Sequence, residues 1–340
     1  MRRAHVAVLA GGLSLEREVS LKSGRRVADA LESRGYQVTR IDVDDQLVVT
    51  LAKSECDVAY LALHGAAGED GAIQGLLELL GMPYTGPDTV ASTLAWDKSV
   101  IKGLWSRAGL PTPAWVTVSS TALREMGARR ALGRVVDRLG LPLMVKPAQG
   151  GAAMGVRCVH TADELPGALV AALSYHDVVL VERFVAGVEV AVAVIDGRAL
   201  PPVEIVPLHG PYDFAARYTH GATELHAPAR LPDAALEECK AQAVAAYELA
   251  GCRHVTRADM IVDADGMPWL LELDTCPGMT ETSLLPMAAQ AQGWEFAELC
   301  ERIVELARGA LGGCASAGRP MRMDTPGRTL LKAHIVPPGT

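Results

Sequence analysis

The 340-residue sequence lacks several features that would place it in a special class of proteins. Its seven cysteines are scattered and form no Cys-x-x-Cys pair, which disfavours a disulfide framework or a zinc site and favours reduced thiols. No apolar run reaches the ~18 residues that a membrane-spanning helix needs. The first predicted strand begins almost at the N-terminus and leaves no room for a signal peptide. These absences predict a cytoplasmic protein without a membrane partner.

The sequence also has no excess of basic charge. It has 32 Lys and Arg residues against 40 Asp and Glu residues, which gives a formal net charge of −8. Proteins that bind nucleic acids need basic surface to release counterions, so a nucleic-acid partner is not expected. Aromatic residues make up only 4%, within a composition otherwise typical of a soluble globular protein. The length allows two or three domains.

The order of predicted elements divides the chain into four segments. Residues 1–96 alternate strands with helices, a pattern that predicts an α/β domain with a parallel sheet. Residues 97–183 predict a second, smaller α/β unit that contains a proline-rich joint at 110–113. Residues 184–310 form a third unit, in which a long predicted helix at 233–250 precedes a predicted β-hairpin. Residues 311–340 are rich in Gly, Pro, Ser and Arg and are expected to be a tail with little independent fold.

The hairpin, at residues 254–262 and 268–274, is the most informative feature. An Asp-Gly turn between two apolar runs is a strong hairpin signal, and a symmetric loop predicts Arg257 opposite Glu272 and Asp259 opposite Leu270. Because side chains alternate along a strand, the prediction separates a charged face from an apolar one. The charged face would carry Arg257, Asp259, Glu272 and Asp274. The apolar face would carry Ala258, Met260, Val262, Trp269, Leu271 and Leu273.

Three clustered carboxylates repel one another unless a cation lies among them. Oxygen ligands of this kind suit Mg²⁺, which usually binds one or two carboxylates together with substrate phosphates. The alternative is an ordinary solvated charged face.

Other polar residues lie at the ends of predicted strands. Lys146 precedes a glycine-rich loop at 150–155, whose backbone N–H groups could cradle phosphate, although an ordinary turn fits the loop equally well. Glu182 and Glu189 flank a strand end that could bind adenine and ribose, or they could simply be exposed glutamates.

A second set of polar residues suits an amino-acid substrate. Glu16 lies at the first strand–helix junction, where it could hold an ammonium group or serve as a helix-start acid. His64 follows the third strand and could be no more than a loop residue. Tyr218 lies in a polar-aromatic loop that could act as a lid. Ser283 begins a helical run, whose free N–H groups suit a carboxylate.

Taken in order, these segments resemble the D-alanine–D-alanine ligase family of the ATP-grasp superfamily over residues 4–307. The matching segments are Leu9-Ala-Gly-Gly-Leu-Ser-Leu-Glu-Arg-Glu-Val-Ser20, Ala62-Leu-His-Gly65, Gly68-Glu-Asp-Gly71, Trp96-Asp-Lys98, Val145-Lys-Pro147, Val181-Glu182, Arg257-Ala-Asp259 and Pro277-Gly-Met279. The resemblance implies an ATP-grasp fold with an N-terminal parallel α/β domain, a small central α/β domain and a C-terminal mixed-sheet domain. It also implies a homodimer that makes D-alanyl-D-alanine for peptidoglycan synthesis.

The resemblance assigns roles to individual residues. ATP would contact Lys98, Lys146, Gly151, Ala152, Ala153, Glu182, Phe184, Val185 and Glu189. Two Mg²⁺ ions, or Mn²⁺ in their place, would be bound by Asp259, Glu272 and Asp274. The two D-alanine molecules would contact Glu16, His64, Ser283 and Leu284. Catalysis would involve Glu16, Ala152, Tyr218, Arg257 and Gly278.

The sequence departs from the family pattern at four positions. Ala152 and Ala153 stand where serines are usual, and Ala152 cannot supply the hydroxyl that links the residues matching Tyr218 and Glu16. Asp274 replaces an asparagine, and Arg217 replaces a lysine.

Two other functions stay open. One is the same chemistry with another acceptor, such as D-lactate or D-serine. Tyr218 favours an amine acceptor because the D-lactate enzymes have a histidine in that loop, although His220 lies nearby. The other is a weakened paralogue that binds nucleotide without turnover, which the loss of the hydroxyl at Ala152 would favour.

Overall fold

Three separate sheets organise the part of the chain that the computed structural model describes, residues 3–126 and 128–317. The first is a parallel sheet with strand order β2-β1-β3, and it confirms the parallel sheet predicted for the N-terminal segment. Its first strand is buried along its whole length, as expected when helices cover both faces of a parallel sheet. The elements are β1 (His5–Gly11), α1 (Arg17–Ser33), β2 (Gln37–Val43), α2 (Leu47–Lys53), β3 (Val58–Leu61), α3 (Ala72–Leu79) and α4 (Thr89–Trp96).

The second sheet has four antiparallel strands in the order β4-β7-β5-β6. A helix precedes it in the chain, and three more helices connect its strands. The elements are α5 (Lys98–Ala108), β4 (Trp115–Ser119), α6 (Ser120–Met126), α7 (Ala128–Leu139), β5 (Leu143–Pro147), β6 (Arg157–Val159), α8 (Leu165–Leu173) and β7 (Val178–Arg183). Apolar residues of β5, β7 and α8 form a small core of its own.

The third sheet has the path β11-β10-β8-β12-β13, with β9 paired to β8. Every described pairing in it is antiparallel, so the mixed sheet predicted for this segment is wrong. Tight turns join β8 to β9 and β12 to β13, and such turns connect antiparallel strands. The elements are β8 (Val188–Ile195), β9 (Arg198–Ala199), β10 (Val203–Pro207), α9 (Phe214–Tyr218), β11 (Thr223–His226), α10 (Asp233–Leu249), β12 (Val255–Val262), β13 (Pro268–Asp274), α11 (Leu284–Ala291) and α12 (Phe296–Ala317).

Shared cores join the third sheet to elements earlier in the chain. Ile101 and Trp105 of α5 are fully buried with Ala243 of α10 and Met260 of β12, so α5 packs on the third sheet. Residues of β1 and α1 share another core with β8, α11 and α12. This packing brings the carboxyl ends of β1 and β3 towards the end of the C-terminal hairpin.

The helix α12 continues past the predicted start of the tail at residue 311 and ends at Ala317. The rest of the predicted tail, residues 318–340, lies outside the described residues. None of the described helices combines the length and the apolar character that crossing a bilayer requires.

The predicted hairpin is present, but its register differs from the prediction. Arg257 lies opposite Asp274 and Asp259 lies opposite Glu272, and a β-bulge follows, so that Met260 pairs with Leu270. The predicted charged face is therefore confirmed, although each predicted cross-strand pair is wrong. The bulge adds one residue to β13 and reverses the faces beyond it.

The bulge also changes the predicted apolar face. Leu270 is fully buried with Met260 in the core beneath the sheet, whereas Leu271 and Trp269 are only half-buried. Leu271 lines a cavity on the other side of the sheet, and the Trp269 indole donates a hydrogen bond to Asp263 at 2.8 Å. The prediction that Trp269 and Leu271 face the core is wrong.

Two matched substitutions test this register. Leu270→Ala should lower the free energy of unfolding by about 2–5 kcal/mol, because it leaves a cavity in a closed core. Leu271→Ala should lower it by less than half as much, because this side chain already borders an open cavity. Denaturant unfolding of both variants measures the difference. A larger loss for Leu271→Ala would contradict the observed bulge and support the symmetric hairpin.

Candidate functional site

Two adjoining cavities hold the polar residues singled out in the sequence. The smaller cavity, about 70 Å³, lies where loops of the N-terminal sheet meet the end of β13. The larger, about 850 Å³, lies between the second and third sheets and has the size usual for a small-molecule site. The two cavities share Lys98, Gly150, Gly151, Tyr212, Arg217 and Glu272. A ligand in one can therefore touch a ligand in the other.

Every predicted site residue lines at least one of these cavities. The smaller cavity is lined by Glu16, His64, Ala152, Tyr218, Arg257, Asp274, Gly278, Ser283 and Leu284. The larger cavity is lined by Lys146, Ala153, Glu182, Phe184, Val185, Glu189 and Asp259. Both are lined by Lys98, Gly151 and Glu272.

The charged face of the hairpin forms the wall between the cavities. The Arg257 guanidinium donates two hydrogen bonds to Asp259, at 2.6 and 2.8 Å, and pairs with Asp274 at 2.8 Å. Glu272 pairs with the Lys98 ammonium at 3.2 Å. Burial opposes ionisation of Glu272, but the positive charges of Lys98, Arg217 and Lys146 outweigh it and hold its pKa at about 2. Glu272 is therefore ionised at pH 7.

These carboxylates have the chemistry of a magnesium site. In the described residues no three His, Cys, Asp or Glu side chains converge closely enough to hold a metal, because Asp259, Glu272 and Asp274 turn to Arg257 and Lys98. All three nevertheless offer hard oxygen donors, Asp259 and Glu272 in the larger cavity and Asp274 in the smaller one next to it, and Mg²⁺ completes its shell with water and phosphate oxygens. The donor set fits Mg²⁺, and the role of each carboxylate as a ligand stays a prediction.

The glycine-alanine loop has a backbone shape suited to phosphate. Ala152 and Ala153 have φ values of 50° and 56°, a left-handed conformation that alanine seldom adopts. Turns of this kind point successive N–H groups to one side and form a concave anion site. The Lys98 ammonium donates to the Gly150 carbonyl at 2.6 Å, which places its charge beside the loop.

Glu182 differs from its predicted role. Its buried carboxylate forms ion pairs with Lys146 and, at 2.9 Å, with Lys102, so it is not free to face a nucleobase. At this strand end, the backbone of residues 182–185 and not the Glu182 side chain would contact adenine. Glu189 is half-buried, and burial together with the charges of Asp259 and Glu272 raises its pKa to about 7 despite Arg217.

Glu16 lies at the centre of the smaller cavity. It is buried, and its Oε2 accepts a long hydrogen bond of 3.4 Å from the Tyr218 hydroxyl, while Oε1 has no partner among the described residues. Burial and the charge of Asp274 raise the pKa of Glu16 to about 7. A Cβ atom at residue 151 would lie 2.7 Å from Oε1, so a side chain there would require the Glu16 carboxylate to move.

The His64 ring links helix α1 to the loop that follows β13. Its Nε2 lies 3.0 Å from the Ser23 hydroxyl and its Nδ1 lies 3.2 Å from the Cys276 carbonyl. A carbonyl can only accept, so these partners assign the proton to Nδ1. Burial lowers the pKa of His64 to about 4, and the ring is neutral at pH 7. Both ring nitrogens already have partners. His64 can therefore fix the position of the residues around a substrate, but it has no free nitrogen to bind the ammonium group of that substrate.

The far end of the smaller cavity is a helix start. Ser283 is the N-cap of α11, and its hydroxyl accepts a hydrogen bond from the Thr280 N–H at 2.9 Å. A Cβ at residue 278 would lie 2.7 Å from the Ser283 oxygen, so this close approach needs glycine. The first N–H groups of the helix, beginning with Leu284, lack intrahelical partners and favour a bound carboxylate.

Sequence reasoning missed three residues at the site. Lys102 follows Lys98 by one helical turn on α5, and this i, i+4 spacing was the available signal. Glu69 lines the smaller cavity, and burial with the charges of Asp274 and Glu16 raises its pKa well above the usual value. Tyr212 lines both cavities under the Arg217 guanidinium, which stacks 4.4 Å from its ring centre. Only the fold shows the contacts of Tyr212.

Known proteins of one family match this chain over nearly all of its described residues. A family model described as "D-ala D-ala ligase C-terminus" matches residues 104–305, and one described as "D-ala D-ala ligase N-terminus" matches residues 45–87. The D-alanine–D-alanine ligase of Magnetococcus marinus is 46% identical over 312 residues, which cover 90% of this chain and 98% of that protein. Its namesake in Pelotomaculum thermopropionicum is 43% identical over 305 residues, which cover 89% and 96%.

Solved structures give the same result. The D-alanine–D-alanine ligase of Bacillus anthracis, complexed with ATP, matches with a TM-score of 0.78 and 31% identity, covering 93% of this chain and all of that one. The VanG D-Ala:D-Ser ligase of Enterococcus faecalis matches with a TM-score of 0.77 and 26% identity, covering 90% and 99%. The three-sheet arrangement described above is therefore shared with these enzymes.

The neutral state of His64 makes a prediction about stability. Its pKa of about 4 in the folded chain lies below the ~6.5 of an unfolded histidine, so the unfolded state binds the proton first as the pH falls. Between pH 7 and pH 5 the wild type should lose about 2 kcal/mol more unfolding free energy than the non-titrating variant His64→Gln. Urea unfolding of both proteins at the two pH values measures this, and an equal loss in both would show that His64 is not held neutral.

Proposed function

The chain belongs to the D-alanine–D-alanine ligase family, and from this premise we propose that it joins two D-alanine molecules to D-alanyl-D-alanine, with conversion of ATP to ADP and phosphate. The observation that carries the proposal is the pair of adjoining cavities, which share Lys98 and Glu272 at the point where phosphoryl transfer must occur. A free carboxylate does not react with amines, so the reaction needs a nucleotide cavity beside an amino-acid cavity.

ATP occupies the larger cavity in this proposal. Lys98 and Lys146 contact its phosphates together with the backbone at 151–153, and the strand end at 182–185 contacts adenine, with Phe184 against the ring. Glu189 accepts hydrogen bonds from the ribose. Asp259, Glu272 and Asp274 are the residues that would hold two Mg²⁺ ions, or Mn²⁺ in their place. Bound Mg²⁺ neutralises the charge that accumulates on the phosphoryl group during transfer.

The first step activates one D-alanine. Glu16 holds the ammonium group, and the Ser23–His64–Cys276 contacts fix the loops around it. A carboxylate oxygen of this D-alanine attacks the γ-phosphorus, the bond to the β-phosphate oxygen breaks, and ADP leaves. The product is an acyl phosphate, whose phosphate is a good leaving group.

The second step forms the peptide bond. The amine of the second D-alanine, whose carboxylate binds Ser283 and the Leu284 N–H, attacks the acyl carbon and loses a proton. The tetrahedral intermediate then expels inorganic phosphate with the electrons of the C–O bond. Arg257 and the Gly278 N–H stabilise the oxyanion, and Asp259 and Asp274 hold the guanidinium in place beforehand.

The same proposal covers the cellular setting. The product supplies peptidoglycan synthesis, and the reaction takes place in the cytoplasm, where ATP is available. The six cysteines in the described part of the chain are all free thiols, as expected for a reducing compartment. The protein acts as a homodimer, which sedimentation at several concentrations tests.

An acceptor panel tests the proposed activity. The purified protein with ATP, Mg²⁺ and D-alanine should release phosphate and form a product with the mass of D-alanyl-D-alanine. L-alanine is the control, and D-lactate and D-serine are the competing acceptors. A larger rate with D-lactate or D-serine would assign a different acceptor. Nucleotide binding without phosphate release would identify a weakened paralogue and overturn the proposal.

A single substitution tests the account of Glu16. Ala152→Ser would add a hydroxyl to the smaller cavity, which also holds the unpartnered Oε1 of Glu16, and a hydrogen bond to a charged group is worth ~1.5–3 kcal/mol. The rate should therefore rise about tenfold or more. Ala153→Ser is the matched comparison, since it adds the same group to the larger cavity and should raise kcat far less. Steady-state phosphate release gives both values, and no gain with Ala152→Ser would refute the role of the missing hydroxyl.

A further inference from the structure

Lys102 is a fully buried lysine that the proposed reaction does not use. It extends from α5, and its ammonium pairs with Glu182 at 2.9 Å. Lys146 pairs with the same carboxylate from its other side. The two lysines are therefore joined through Glu182 in a Lys102–Glu182–Lys146 triad, of which only Lys146 and Glu182 border the larger cavity.

Burying an unpaired ammonium is very costly, so this lysine needs its partners. Burial lowers the pKa of Lys102 to about 8, and the charge of Glu182 opposes that shift. Burial alone would raise the pKa of Glu182, but Lys146 and Lys102 outweigh it and keep the pKa below its usual value. The triad is therefore charged at pH 7, with two positive groups and one negative.

We propose that Lys102 is a positioning residue for nucleotide binding, which keeps the Lys146 ammonium available to the phosphates by sharing its counterion Glu182. The inference rests on the proposed use of ATP and adds a residue to it. With Lys102 present, the triad has one surplus positive charge, which faces the larger cavity. Without Lys102, the Glu182 carboxylate neutralises Lys146 completely.

The surroundings of Lys102 add a mechanical link. Its ammonium donates to the Thr112 hydroxyl at 2.5 Å, and that hydroxyl donates to the Leu270 carbonyl of β13 at 2.8 Å. The Lys102 ammonium also lies 5.3 Å from the centre of the Trp115 ring on β4. Lys102 thus contacts β4 of the second sheet directly and β13 of the third sheet through Thr112. The larger cavity, where the nucleotide would bind, lies between these two sheets.

A purely structural role and the charge role predict different results. If Lys102 only fills space, its loss lowers stability and no second substitution at Glu182 restores nucleotide binding. If it shares the counterion, removing the Glu182 charge in the same molecule returns the surplus positive charge to Lys146. The double variant therefore distinguishes the two roles.

The experiment measures KM for ATP, kcat and the Kd of ADP in four proteins. Lys102→Met should raise KM for ATP and Kd for ADP about tenfold, while kcat at saturating ATP changes less than threefold. The double variant Lys102→Met/Glu182→Gln should recover most of that loss. Lys240→Met is the matched control, because Lys240 pairs with Glu237 on the surface of α10 and should leave both constants unchanged. If Lys102→Met does not fold, Lys102→Gln replaces it, since glutamine keeps hydrogen bonds but carries no charge.

Two outcomes would overturn the inference. One is an unchanged KM and Kd in Lys102→Met, and the other is a double variant that binds ADP no better than Lys102→Met. Both outcomes differ from a failure of the proposed function, because that failure would appear as an inactive wild-type protein. An inactive wild type that still binds ADP leaves the Kd comparison intact, and a wild type that binds no ADP overturns both proposals.

Discussion

The site depends on the buried ion pairs of Arg257. Its guanidinium is held by both oxygens of Asp259 and by Asp274, and Arg257 and Asp259 are almost wholly removed from solvent. A guanidinium is stable in a protein interior only when carboxylates pair with it and accept its hydrogen bonds. The fold of the hairpin, the position of Arg257 and the positions of the two carboxylates therefore depend on one another. The two cavities meet at this wall, and the proposed chemistry requires the same charges on both sides of it.

Cations from several elements offset the carboxylates of this wall. Asp259, Glu272 and Asp274 face the Arg257 guanidinium and the Lys98 ammonium, and the charges of Arg217 and Lys146 also act on Glu272. In the proposed complex, a divalent cation bound by these carboxylates would let the ATP phosphates approach them with less repulsion.

Much of this arrangement could be predicted from the sequence. Alternation along β12 and β13 was sufficient to group four charged residues on one face, because period-2 geometry is local. The register was not predictable, since the bulge after Asp259 depends on how β12 packs against β8 and on where Leu270 finds core space. The predicted mixed sheet failed for a related reason, because strand direction depends on long-range pairing.

The residues missed at the site have one physical feature in common. Lys102 and Glu69 make tertiary interactions, with Glu182 for one and with Asp274 and Glu16 for the other, and the i, i+4 spacing of Lys98 and Lys102 does not show which carboxylate Lys102 meets. Glu16 and His64 were predicted because they follow strands of the parallel sheet, whose carboxyl ends gather such residues. For His64 this reasoning predicted the location at the cavity but not the contacts of the ring, whose two nitrogens are occupied by Ser23 and Cys276.

Two departures from the family pattern act on the same group, Glu16. Asp274, where asparagine is usual, adds a negative charge that raises the pKa of Glu16, and Ala152, where serine is usual, removes a hydrogen-bond donor that would lower it. Both changes favour the protonated form, which binds an ammonium group poorly. Yet the added carboxylate of Asp274 also gives Arg257 its third charged contact. In the proposed reaction Arg257 is therefore held more firmly for the oxyanion while Glu16 binds the ammonium group less well, so binding of the first D-alanine is expected to limit the rate more than peptide-bond formation.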